Sequence, residues 1–146
     1  DFFDSWALKG NSILRLIHYP PIEDSSNVLR ARAHEDINLI TLLVGAEESG
    51  LEVQNPNGDW IPIAAKTKSI VCNIGDMMQL VTRSKLKSTT HRVVDHNSST
   101  SASRYSMPFF LHPSPEIELC SIVDDSTESI SAHDFLEERL KAIKLY

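Results

Sequence analysis

Gly50-Leu51-Glu52-Val53-Gln54-Asn55-Pro56-Asn57-Gly58-Asp59-Trp60 reads as two strands folded back on a tight turn. Asn55-Pro56-Asn57-Gly58 is a run of turn formers, and Val53 and Trp60 on either side suit a pleated surface. Further short apolar or alternating runs flank this hairpin. In all, eight lie near 12–19, 38–44, 51–54, 60–63, 69–73, 77–82, 91–95 and 104–111. Gly75-Asp76 and the polar Asn97-Ser98-Ser99-Thr100-Ser101 divide the later runs as turns. Eight short strands with no long helix between them predict one mainly-β domain over 1–146, a double-stranded β-helix or jelly roll. A C-terminal α-helix is expected over 131–145. Ser131 is its N-cap with Asp134 three residues on, and Phe135, Leu136, Leu140 and Ile143 recur at helical spacing. The chain shows no repeat and no interdomain linker.

His34-Glu35-Asp36 precedes the hairpin and His91 follows it, 91 − 36 = 55 positions beyond Asp36. Residues i and i+2 of a strand point to one face, so His34 and Asp36 can grip one ion together. A distant strand must fold back to bring in His91. Two neutral imidazoles and one carboxylate on one face of an iron ion leave three octahedral positions open. The tripeptide alone is a weak signal, and its surroundings carry the weight. These are Leu14-Arg15-Leu16-Ile17-His18-Tyr19-Pro20-Pro21, Ile70-Val71-Cys72-Asn73-Ile74-Gly75-Asp76, His91-Arg92-Val93-Val94 and Arg104-Tyr105-Ser106-Met107-Pro108-Phe109-Phe110. In the last run Arg104, Ser106, Pro108, Phe110 and His112 share one face. Tyr105, Met107, Phe109 and Leu111 share the other, which is apolar and needs a cover. Phe110 and His112, farther along the Arg104 face, are candidates for lining a substrate pocket. His18, His96 and His133 are read as non-ligands, and Asp76 as fixing its turn. Lys66, Lys68, Lys85 and Lys87 are read as a solvated surface.

Composition narrows the classes. With 146 residues, 41% hydrophobic and 23% charged, the chain suits one globular domain with a real core. A net charge of −6 and no basic run argue against a nucleic-acid surface. No apolar stretch approaches the ~20 residues of a membrane span. Two cysteines, Cys72 and Cys120, make no disulfide framework; both are expected to be reduced, buried thiols of a cytoplasmic protein. The opening Asp1-Phe2-Phe3-Asp4-Ser5-Trp6 reads as the end of a buried element, with the N-terminal half of the same protein as the missing cover.

Together these motifs resemble the isopenicillin N synthase-like branch of the iron- and 2-oxoglutarate-dependent oxygenases, over nearly the whole chain from about Ile13. The resemblance implies a jelly roll with His34, Asp36 and His91 as iron ligands. Arg104 and Ser106 then hold the distal carboxylate of the keto acid, helped by Tyr19. One position departs: the family often has Asn where this chain has Ile17. The implied activity is oxidation of a small organic substrate by O₂, coupled to decarboxylation of 2-oxoglutarate to succinate and CO₂, with ascorbate as an accessory. A chelating keto acid leaves a far carboxylate to neutralise, and the planar fork of Arg104 does this better than Lys could. Two alternatives stand beside it: an iron-dependent oxidase that uses no keto acid, and a catalytically inactive jelly-roll binding module.

Overall fold

The computed structural model describes residues 2–21, 29–44, 50–64, 68–94 and 103–143. The chain opens with helix α1 (Phe2–Ala7) and strands β1 (Ile13–Leu14), β2 (Ile17–Tyr19) and β3 (Leu29–His34). Strands β4 (Ile40–Val44), β5 (Leu51–Gln54), β6 (Trp60–Pro62) and β7 (Ile70–Ile74) lead to helix α2 (Asp76–Val81). Then come β8 (His91–Val94), β9 (Arg104–Ser106), β10 (Pro108–Leu111), β11 (Glu118–Cys120), β12 (Ser129–Ser131) and helix α3 (Ala132–Ala142).

Two four-stranded sheets, β1-β10-β4-β7 and β3-β8-β5-β6, form the roll; β2-β9 and β11-β12 are two-stranded. Every pairing among the described residues is antiparallel. The expected jelly roll with a C-terminal helix is therefore present. The hairpin forms as expected, with Gln54 paired to Trp60. Asn55 Oδ1 accepts from the backbone N–H of Asn57 and Asp59, both at 2.9 Å, and Gly58 takes φ of +90°, which its missing Cβ permits. The runs at 12–19 and 104–111 lie on one antiparallel ribbon. Ile13 pairs with Phe110 and Leu14 with Phe109, and after a short break Ile17, His18 and Tyr19 pair with Ser106, Tyr105 and Arg104 in the same register.

Several expectations are corrected. The run at 77–82 is helix α2, not a strand: Met77, Met78 and Val81 are buried at helical spacing. Gly75 is its N-cap, so Asp76 starts a helix rather than fixing a turn. Strands β3, β11 and β12 lie outside the eight runs, because Arg30, Arg32 and Glu118 interrupt their apolar patterns. Helix α3 is shorter than 131–145: Ser131 caps it, accepting from Asp134 N at 3.0 Å, and it ends at Ala142. Cys72 is exposed on β7, an edge strand, and Cys120 is half-buried, so neither is a buried thiol. The opening aromatics form α1, in which Trp6 is buried and Phe2 is exposed. His96, Lys66 and positions 97–101 lie outside the described residues; Lys68, Lys85 and Lys87 are solvent-exposed as expected.

The apolar core lies at one end of the roll. Leu39, Met77, Val81, Leu119, Trp6 and Ala132 gather from the β4 entry, α2, β11, α1 and α3. Outside that cluster, buried polar residues gather with Leu51 and Val93: Asp36, Thr41, His91 and Ser106 line one cavity, and Arg104 is buried two residues before Ser106. Buried polar groups cost stability unless they are partnered, so such a cluster marks a site.

Candidate metal centre

Strand β3 ends at His34, and its pairing with β8 carries two register shifts, between Leu29 and Ala31 and between Ala31 and His34. Those irregularities bring His34 opposite His91, with ring centroids 4.3 Å apart. Bulges of this kind re-aim side chains beside functional sites. Asp36 lies two residues past the strand end rather than within it, a correction to the shared-strand expectation. The chain's turn still delivers it. His34 Nε2 is 3.9 Å and His91 Nε2 3.7 Å from Asp36 Oδ1. Those separations exceed a hydrogen bond and suit donors that share one ion. The three residues each offer an atom within 4.8 Å of the others.

Surrounding bonds orient each ligand. His34 Nδ1 lies 2.6 Å from the Arg32 carbonyl and His91 Nδ1 3.0 Å from that of Thr89. A carbonyl only accepts, so Nδ1 carries the proton in both rings and each Nε2 keeps its lone pair for metal. Thr41 Oγ1 donates to Asp36 Oδ2 at 2.6 Å, leaving Oδ1 free, and accepts from Asn38 Nδ2 at 3.0 Å. Asp76 N and Gly75 N donate to the carbonyls of Asp36 and Leu39 at 2.8 and 2.9 Å, so the start of α2 supports the ligand loop. A Cβ at Gly75 would collide with the Asn38 carbonyl, which is why this close approach takes glycine. Sequence reasoning missed Thr41 and Asn38. The available signal was a single polar residue inside the apolar run Leu39-Ile40-Thr41-Leu42-Leu43-Val44.

Arg104 is 6% exposed, and its Nε and Nη1 have no hydrogen-bond partner among the described residues. Its guanidinium carbon is 5.4 Å from the Tyr19 ring centroid. Ser106 is buried two residues on. A buried guanidinium with two donors unpartnered among the described residues calls for an anion, and a carboxylate fits the fork. Two cavities meet at the triad, both lined by His34, Asp36, Arg15 and Phe110. One, of about 320 Å³, continues to Tyr19, Ser106 and Ile17. The other, of about 270 Å³, continues to His112, to Leu136 and Leu140 of α3, and to Ile143 at its C-cap. Burial holds the His112 imidazole below its ordinary pKa, with the Asp36 charge opposing. His18 stacks on Tyr105 and hydrogen-bonds Ser103, and His133 is exposed on α3; neither joins the triad.

Two imidazoles and a carboxylate gathered inside a jelly roll define a mononuclear non-haem iron type of centre. Residues 10–113 match the 2OG-Fe(II) oxygenase superfamily, and the chain belongs to that superfamily. It is 33% identical over 148 residues to a 2-oxoglutarate-dependent dioxygenase of Didymella fabae, covering 93% of this chain and 44% of that protein. Among solved structures it resembles a 2OG-Fe(II) oxygenase family protein from Caulobacter crescentus, at 46% identity and TM-score 0.88, over 98% of this chain and 49% of that one. It also resembles a full-length Neurospora crassa protein solved in complex with alpha-KG, at 31% identity and TM-score 0.87, over 97% of this chain and 47% of that one. The chain thus spans less than half the length of each of these three proteins.

Proposed function

We propose that the protein is an Fe(II)- and 2-oxoglutarate-dependent dioxygenase that oxidises a small organic molecule. Its motifs favour the isopenicillin N synthase-like branch of the superfamily. The observation that carries the reading is Arg104: a buried guanidinium over the Tyr19 ring, two residues from buried Ser106, with two donors unpartnered among the described residues. The far carboxylate of a keto acid supplies the anion for that charge; a direct oxidase supplies one only where its own substrate carries a carboxylate, and an inactive binding module has no need of oriented Nε2 lone pairs on both histidines. Ile17 pairs with Ser106 and lines the same cavity, so it offers an apolar wall where the resemblance leads one to expect an amide.

His34 and His91 would hold iron through Nε2, and Asp36 through Oδ1. Arg104 and Ser106 would bind the distal carboxylate of the keto acid, with Tyr19 beside it. Iron held there would supply O₂ activation, with two electrons drawn from 2-oxoglutarate as it becomes succinate and CO₂ and two from the substrate. The Thr41 hydroxyl keeps Asp36 Oδ2 occupied, so this carboxylate presents one oxygen to the ion. The second cavity suits the primary substrate. Phe110, Leu136, Leu140 and Ile143 give it apolar walls, and Arg15, Asn38 and His112 give it polar groups. Ascorbate serves as accessory reductant.

The outer face of the β1-β2/β9-β10 ribbon carries Leu14, Leu16, Tyr105 and Met107, exposed by 58%, 76%, 61% and 50%. We read it as the seat of the N-terminal half of the same protein, a reading supported by the greater length of the relatives. The unpaired Cys72 and Cys120 suit a cytoplasmic location. The test of the activity is O₂ uptake and succinate formation by the purified protein with Fe²⁺, 2-oxoglutarate and ascorbate. Succinate formation that needs Fe²⁺ and is lost in His91→Ala supports the reading. O₂ uptake that does not depend on 2-oxoglutarate would favour the direct oxidase.

A further inference from the structure

Glu35 stands between two ligands, holds no metal itself, and is tied on both sides. Its Oε1 accepts from Thr90 Oγ1 at 2.7 Å, and Thr90 directly precedes His91. Its Oε2 lies 3.6 Å from Arg139 Nη2 on α3. The same nitrogen is 2.6 Å from Asp76 Oδ2, on a carboxylate side chain only 7% exposed. The two atoms lack hydrogen-bond alignment, so their attraction is ionic. Asp76 N in turn donates to the Asp36 carbonyl. One guanidinium on the C-terminal helix therefore reaches the ligand loop by two routes.

His34 is the ligand that needs such support. Its side chain is 47% exposed, against 9% for His91 and 5% for Asp36. Its strand ends there, after two register shifts. Its one side-chain hydrogen bond among the described residues runs to Arg32, two residues back, which orients the ring without anchoring the loop. The next residue, Glu35, supplies the anchors. Behind it, buried Asp76 requires a counter-charge, and Arg139 provides it.

We propose that Arg139 is a positioning residue for the metal centre. Acting through Asp76 and Glu35, it holds the His34–Asp36 segment against His91, so that docking of α3 sets how tightly the site binds its ion. The proposal rests on His34, Asp36 and His91 being metal ligands. Anaerobic titration of the protein with Co²⁺, followed by its d–d absorption, tests both levels. The wild type is expected to take up one equivalent, and His91→Ala none. Arg139→Met is expected to weaken Co²⁺ binding about tenfold or more, the low end of the range for residues that support metal ligands, and to shift the d–d band. Arg139→Lys, which restores a charge beside Asp76, should recover most of the affinity. Arg139→Met leaves the Asp76 charge stranded and can unfold the protein, so Glu35→Ala is the second variant. It cuts the loop from Thr90 and Arg139 without burying a new charge, and it should weaken Co²⁺ in the same direction. A role confined to packing α3 would lower Tm but leave Co²⁺ affinity and band position unchanged in folded Arg139→Met and in Glu35→Ala. That result overturns the proposal alone. A wild type with no His91-dependent Co²⁺ uptake overturns the metal reading and this proposal together.

Discussion

Replacing Arg104 with Met should stabilise the protein without keto acid and abolish its response to keto acid. The two effects have one cause. In the free protein the guanidinium is 6% exposed and two of its donors lack partners among the described residues, so its desolvation is poorly compensated. Exchange of buried ions for apolar side chains of similar volume is neutral or stabilising by about 1–4 kcal/mol. A gain of about 1 kcal/mol raises Tm by roughly 2–4 °C for a domain of 150–250 residues. With 2-oxoglutarate bound, the same substitution leaves a buried carboxylate without its cation. Breaking such a pair costs about 3 kcal/mol or more, or about 150-fold in affinity. The assay is thermal unfolding with and without 2-oxoglutarate, beside calorimetric titration. At a concentration of about 100 times the wild-type Kd, the ligand stabilises the wild type by about 2.7 kcal/mol. A 150-fold weaker variant gains only about 0.3 kcal/mol at that concentration. Arg104→Lys keeps the charge but loses the two-point fork, and should fall between, at about 10- to 150-fold. If Arg104→Met keeps keto-acid affinity within about twofold, Arg104 does not bind the cosubstrate.

Other outcomes follow from the same geometry. His34→Ala, Asp36→Ala and His91→Ala should each lose Fe²⁺ binding in equilibrium dialysis, and Asp36→Glu should fail too, because one extra methylene displaces Oδ1 from the ion; full binding in any one removes that residue from the triad. His112 is held below 6.5 by burial, so its neutral form is favoured in the folded state. As pH falls below 6.5 the unfolded chain takes up that proton first and stability declines. His112→Gln should flatten this decline in urea midpoints measured from about pH 7.5 to about 5.5; an unchanged slope would show that His112 does not contribute. Expressed alone, the 146-residue chain should self-associate through Leu16, Tyr105 and Met107, and light scattering that finds a monomer would contradict this.

Much of the site was legible because its chemistry needs particular residue types at particular places. Histidine and aspartate at His34, Asp36 and His91 have few substitutes as a ligand set, and the fork of Arg104 has none for two-point carboxylate binding. The turn at Asn55–Gly58 was legible for a local reason, since Gly58 has positive φ. The run at 77–82 reads as a strand in sequence because a short, mostly apolar stretch fits a strand or a buried helix turn equally well, and only its packing against Leu39 and Leu119 selects the helix. Thr41 was missed because one polar residue inside an apolar run does not say what it bonds; its meaning appears only when Asp36 Oδ2 is found 2.6 Å away.

By itself the sequence determined the strand-rich class, the grouping of His34, Asp36 and His91 and the capped C-terminal helix, and it singled out Arg104, since each rests on local pattern or irreplaceable chemistry. The tertiary structure decided what depends on separations between residues far apart in the chain. It placed Asp36 past the end of its strand, and through two register shifts set His34 opposite His91. It left two donors of the buried Arg104 without a hydrogen-bond partner among the described residues, and brought Arg139 to within 2.6 Å of Asp76 across 63 residues of chain (139 − 76). Side-chain alternation is a local property, but register shifts, burial and ion pairing arise only when whole sheets and helices pack.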